Sequence, residues 1–141
     1  MSSQALAKAV RKRYIDVVLC AQNVPTQFDN QDEDDQFTKP SDSIWARCSI
    51  FTASSTQVDI CETPRIRTLG TIIFNVFVPV GKGDKEAREF ADIIKSKFRL
   101  VTVDDVLYRV PTISPVGRDK TWWQVNVTCP YQFDEIVSLG E

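Results

Sequence analysis

No histidine occurs anywhere in the 141 residues, and this absence excludes whole classes of chemistry. A Ser-His-Asp or Cys-His arrangement cannot be built, nor can a zinc site that uses imidazole. Cysteine is sparse: Cys20, Cys48, Cys61 and Cys129 are scattered with no CxxC pair. An all-cysteine metal site would lack the usual paired spacing, so they read as reduced, buried, small apolar residues. No segment approaches membrane-spanning length, and the start, MSSQALAKAVRKR, has no continuous apolar stretch. Neither a membrane span nor an export signal is expected, and the chain reads as intracellular when made. A charge excess is missing too: 17 Lys and Arg against 19 Asp and Glu leave a net charge of −2. That balance provides no concentrated basic face for tight nucleic-acid binding. It is compatible with a protein past which DNA slides without adhering.

What is present suits one globular domain spanning 1–141, with 43% hydrophobic residues to build a core. Ser3 to about Cys20 has helical periodicity, with Leu6, Val10, Tyr14, Val17 and Val18 on one face and Ser3 as N-cap. Residues 22–43 lack periodicity, hold Pro25 and Pro40, and carry the acidic residues Asp29, Asp32, Glu33, Asp34 and Asp35. They read as a long acidic loop. Trp45 to Thr52 alternates as a strand, and Gln57 to Cys61 is a candidate short extension or hairpin arm. Gly70 to Pro79 is the strongest strand, Asp84 to Phe98 a second helix capped by Asp84, and Asp105 to Val110 and Thr121 to Tyr131 two further strands. Residues 132–141 read as an exposed C-terminal tail. The order predicts an α+β fold: a mostly antiparallel sheet of about four strands with two helices packed on one face.

The stretch FNVFVPVGKGDKEA (Phe74 to Ala87) has the layout of a phosphate-binding loop, with a strand, a glycine-bracketed turn and a helix. The details disagree with that chemistry. A Walker loop needs GxxxxGK[ST], whereas here Lys82 lies between Gly81 and Gly83. A dinucleotide loop needs a third glycine where Glu86 stands. Asp84 at the N-cap would occupy the helical N–H groups and repel an anion. The glycines are better read as hinges able to take positive φ. No cofactor, catalytic group or metal site is expected. Asp104 and Asp105 are neighbours in sequence and suit a turn better than a carboxylate pair. The acidic residues of 22–43 lack the spacing and glycine of an EF-hand, and TWWQVNV suits core or interface packing better than base stacking.

The alternation leaves a surplus. Trp45, Phe51, Ile73, Phe77 and Trp122 all point away from the helices if the strands are as read. A contiguous apolar area of that kind is a partner site.

Three stretches, RIRTLGTIIFNVFVPVGKGD, the helix containing FADIIKSKF, and TWWQVNVTCPYQF, taken in order, resemble the phage tail terminator-like proteins, including the lambda-type tail terminators. The resemblance covers most of Arg65 to Phe133 and does not extend to the acidic insert before Trp45. It implies a non-enzymatic virion subunit of the tail or neck, assembled in the host cytoplasm. Such a subunit forms a hexameric ring that caps the tail tube, stops tube polymerisation and offers the surface on which the head-tail connector docks. Its partners would be itself, the tail tube protein and the connector, with DNA passing through the lumen unbound and no membrane involved. Trp45, Phe51, Ile73, Phe77 and Trp122, with Arg65 and Arg67, are the expected subunit or partner contacts. The alternatives are another neck, head-completion or minor tail protein of similar fold, and a small nucleotide- or single-strand-DNA-binding domain.

Overall fold

The computed structural model describes residues 3–29, 40, 42–58, 64–119 and 121–136. Helix α1 (Ser3–Arg13) buries Leu6, Ala9 and Val10, as its apolar spacing dictates. From Tyr14 to Leu19 the chain continues as π-helical turns that bury Tyr14 and Val18. The helical extent matches the sequence expectation, while the hydrogen-bond period changes in its last third. Cys20, expected in the core, is exposed because it lies just beyond Val18, the last buried position of that segment.

The strands are β1 (Thr26–Gln27), β2 (Trp45–Gln57) and β3 (Arg65–Pro79), followed after helix α2 (Lys85–Phe98) by β4 (Val101–Val103), β5 (Val106–Tyr108), β6 (Thr112–Arg118) and β7 (Trp122–Ile136). They form one seven-stranded sheet in the order β1-β2-β3-β7-β5-β4, with β6 paired to the first half of β7. The class is α+β as expected, but among the described residues the sheet has seven strands rather than about four. It is also mixed, since β1 runs parallel to β2. The missed strands have physical reasons. Strands of two or three residues are too short to alternate, and β6 carries Pro115 and Gly117 around a bulge.

Several boundaries are corrected, for β2 runs to Gln57 rather than Thr52 and β3 begins at Arg65 rather than Gly70. Residues 132–136, expected to begin an exposed tail, continue β7: Phe133 is buried opposite Thr68, and Asp134 pairs with Arg67. Within 22–43, Thr26 and Gln27 form β1 instead of loop, while Asp32, Glu33, Asp34 and Asp35 lie outside the described residues, as does the candidate arm beyond Val58 with Cys61.

Both helices cover one face of the sheet. Ile72, Phe74, Val76 and Val78 of β3 and Val125, Val127 and Cys129 of β7 meet Ala87, Phe90, Ala91, Ile94 and Phe98 of α2. Tyr14 stacks on Phe74 at 5.4 Å, and Phe98 joins Phe74 (5.3 Å) to Tyr108 (5.0 Å) in an aromatic spine. Burying one such ring contributes about 1.5–3 kcal/mol. Arg13 donates to the Lys97 carbonyl at 2.6 Å, tying the end of α1 to the end of α2.

β3 lies between β2 and β7; its even-numbered residues pack in the core under the helices, while Phe77 on its other face stacks on Trp45. β7 tolerates Pro130 because that residue lies where the neighbouring strand changes from β6 (ending opposite Thr128) to β5 (starting opposite Tyr131). The Pro130 carbonyl accepts from Arg109 on that side, so its missing N–H falls in the handover.

Candidate functional site

The sheet face turned away from the helices is where the expected contact residues meet. In the pairing register, Trp45 lies opposite Phe77, Ser49 opposite Ile73, Phe51 opposite Thr71, and Pro79 opposite Trp122. Arg65, Arg67, Ile73 and Phe77 are odd-numbered positions of β3, whose even-numbered neighbours fill the core. Trp45, Phe51, Ile73, Phe77, Trp122, Arg65 and Arg67 therefore share one face.

They do not form one uniform patch. Trp45 stacks on Phe77 with centroids 4.2 Å apart, and Trp122 meets Trp45 edge-on at 6.0 Å. The Arg47 guanidinium lies 5.4 Å over the Phe77 ring. The rings shelter one another, so Trp45 and Phe77 are 6% and 7% exposed. Phe51 lies outside this cluster and is 54% exposed. The uncovered apolar area is thus smaller than the sequence pattern implies, and it lies toward Phe51 and the bulge residue Val116.

Next to the aromatic cluster runs a polar band that sequence reasoning missed. Asn75 donates to Asn126 at 2.7 Å, Gln124 donates to the same oxygen at 2.8 Å, and Arg47 reaches Asn75 at 3.4 Å. The available signal was Asn75 at an outward position of β3 and Gln124 and Asn126 at alternating outward positions of β7; Asn75 lies opposite Asn126 and Gln124 opposite Phe77. Farther along the face, Arg67 makes a two-pronged pair with Asp134 at 3.0 and 3.2 Å. That hydrogen bond holds the Asp134 carboxyl below the usual carboxylate range. Arg65 lies opposite Ile136 at the end of the sheet.

The glycine turn is a hinge. Gly81 and Gly83 have φ of 93° and 80°, which glycine adopts without strain. The reading of Asp84 needs correction, because it stands at the N-cap position of α2 yet its side chain makes no cap hydrogen bond. Its carboxylate instead accepts from Arg88 one turn on, and that bond lowers its pKa. The pairing wins because a guanidinium four residues on offers a charged donor where the backbone offers a neutral one. Lys82 donates to the Asp42 carbonyl at 3.0 Å. Asp104 and Asp105, at φ 53° and 66°, form the two-residue turn joining β4 to β5.

Asp29 lies at the sheet edge, where its carboxylate accepts from the Ile50 N–H at 3.2 Å. Among the described residues no three acidic, cysteine or histidine side chains converge as a metal site. Among them, too, no helix is long and apolar enough to cross a membrane. Burial raises both the Cys48 and the Cys129 thiols, Cys129 to about 12.

Residues 5–131 match the family model described as phage tail terminator protein. A solved structure at 20% identity superimposes with a TM-score of 0.71, covering 94% of this chain and 96% of that one, a likeness of fold. No curated protein sequence matches the chain.

Proposed function

Because the chain belongs to the phage tail terminator protein family, we propose that it is a non-enzymatic virion subunit that closes into a ring on the end of the tail tube. The ring ends tube polymerisation and offers the surface on which the head-tail connector docks. The family match across residues 5–131 carries this reading. The sheet geometry adds a face suited to protein contact, with a self-supporting aromatic cluster, a polar band and the exposed Phe51. Mixed aromatic and Arg surfaces of this kind are what protein interfaces use. The near-neutral balance, net −2, suits a lumen through which DNA passes without adhering.

Electron microscopy of particles made without the protein tests the reading. Overlong or headless tails are the expected outcome. Leaking heads beside normal free tails would instead assign the chain to head completion. Light scattering of the purified protein, alone and with tube protein, tests the ring itself.

A further inference from the structure

Two clefts flank Arg118, where β6 closes onto β7. The first, about 260 Å³, is lined by Pro79, Val80, Gly83, Asp84, Arg118 and Trp123. The second, about 160 Å³, is lined by Phe77, Val116, Trp122, the same Arg118 and Asp119. The bulge between Pro115 and Gly117 shapes the second cleft by displacing Val116 from the ladder, leaving it 57% exposed. Asp84 is already engaged by Arg88. Among the described residues, no hydrogen bond or ion pair occupies the Arg118 guanidinium. An unengaged guanidinium between tryptophan walls is a receptor for a carboxylate carried on an apolar segment.

We propose that these clefts receive the end of β7 from a second copy of the chain, Ile136 with the following Val137–Glu141. Ile136 is the most exposed large hydrophobic among the described residues, at 71%. The sequence after it, Val137-Ser138-Leu139-Gly140-Glu141, supplies two more apolar side chains and a carboxylate. Its own clefts are out of reach. β7 runs unbroken from Trp122 to Ile136, roughly 45 Å at about 3.3 Å per residue. Val137–Glu141 extends at most about 18 Å beyond it. The occupant therefore comes from another molecule, in a contact between two different patches. That is the heterologous type which closes into a ring when its rotation allows. The proposal rests on the reading of the chain as a ring subunit and names one of the contacts between copies.

The test titrates a synthetic peptide of residues 134–141 onto the full-length protein. Tryptophan emission is the first readout, since Trp122 and Trp123 wall the clefts, and mass by light scattering is the second. A saturable emission change is expected, weakened about tenfold or more by Arg118→Glu. A peptide carrying Glu141→Arg should regain affinity for the Arg118→Glu protein. Circular dichroism checks that this variant is folded; if it is not, Arg118→Gln takes its place. No saturable change up to millimolar peptide, or equal binding to both proteins, overturns the proposal. A ring that persists under saturating peptide and in the Arg118→Glu protein overturns this contact while leaving the ring reading intact. Peptide binding by a protein that never assembles, even on tube protein, sinks the ring and overturns the contact between copies with it.

Discussion

Gly70 lies directly beneath the phenol of Tyr131, its cross-strand partner. The ring crosses β3 and places its hydroxyl 3.2 Å from both the Phe51 carbonyl and the Thr52 hydroxyl of β2. A methyl group on residue 70 would overlap the Tyr131 ring and the Phe51 carbonyl. The glycine is there for space. Gly70→Ala should destabilise the fold by about 1–3 kcal/mol through overpacking, measured by urea denaturation. Tyr131→Leu in the same chain should recover part of that loss. A Gly70→Ala protein as stable as wild type would contradict the packing described.

Phe51 is the better probe of assembly than Phe77. Phe77 is stacked on Trp45, so Phe77→Asp would damage the fold as well as any interface. Phe51→Asp changes a residue 54% exposed, and its effect on monomer stability should stay within about 0.5 kcal/mol. If the outer sheet face carries subunit or tube contacts, this variant lowers the assembled mass in light scattering at unchanged helix content. Unchanged mass both alone and with tube protein would remove Phe51 from the contact.

Arg67 and Asp134 should show a pH-dependent coupling. The folded state depresses the Asp134 pKa, chiefly through the Arg67 hydrogen bond. Its stabilising contribution is therefore present above the unfolded value, about 3.9, and is lost as pH falls through the lower folded value. Both side chains are partly exposed, 38% and 29%, so the pair contributes at most about 1 kcal/mol. The stability difference between wild type and Arg67→Ala should be visible near pH 6 and shrink as pH falls below the unfolded carboxylate value, about 3.9. Carboxyl resonances should show Asp134 titrating higher in the variant. An unmoved Asp134 titration would mean the pair is absent in solution.

The fold was legible wherever a strand or helix was long enough to show its period. The even positions of β3 and the odd positions of β7 pointed to the core, and the spacing of Ala87, Phe90, Ala91, Ile94 and Phe98 gave α2 its buried face. The same alternation gathered the outer-face residues from three strands. It could not report that Trp45, Phe77 and Trp122 cover one another, which depends on how they pair across strands. β6 was hidden by Pro115 and Gly117, and the end of β7 was hidden by Asp134 and Glu135, which look solvated until Arg67 is found alongside. The carboxylate of Asp84 had two local partners to choose between, and composition does not rank them.

Cysteine labelling should separate the thiols by environment. Cys20 is exposed, whereas Cys48 and Cys129 are buried with raised pKa values. Thiolate is the reacting form, so iodoacetamide at pH 8 should modify Cys20 in minutes and spare Cys48 and Cys129 until denaturant is added. Peptide mapping by mass spectrometry reads the order. Rapid native modification of Cys129 would show that β7 opens far more readily than a strand paired on both sides should.

Tyr108 offers a test of the core itself. Its side chain is fully buried against Phe98, and among the described residues its hydroxyl has no hydrogen-bond partner. A desolvated, unpaired hydroxyl costs about 1–3 kcal/mol. Tyr108→Phe removes that cost while keeping the ring, so the variant should be as stable as wild type or more so, by up to about 1 kcal/mol. Burial also raises the Tyr108 pKa. The folded state thus holds the proton while the unfolded chain loses it above about pH 10. Wild-type stability should therefore fall as pH rises past that point, and Tyr108→Phe should lose part of the fall. A variant destabilised by more than 1 kcal/mol or so would reveal a partner for the hydroxyl, since only a satisfied buried group costs that much to delete.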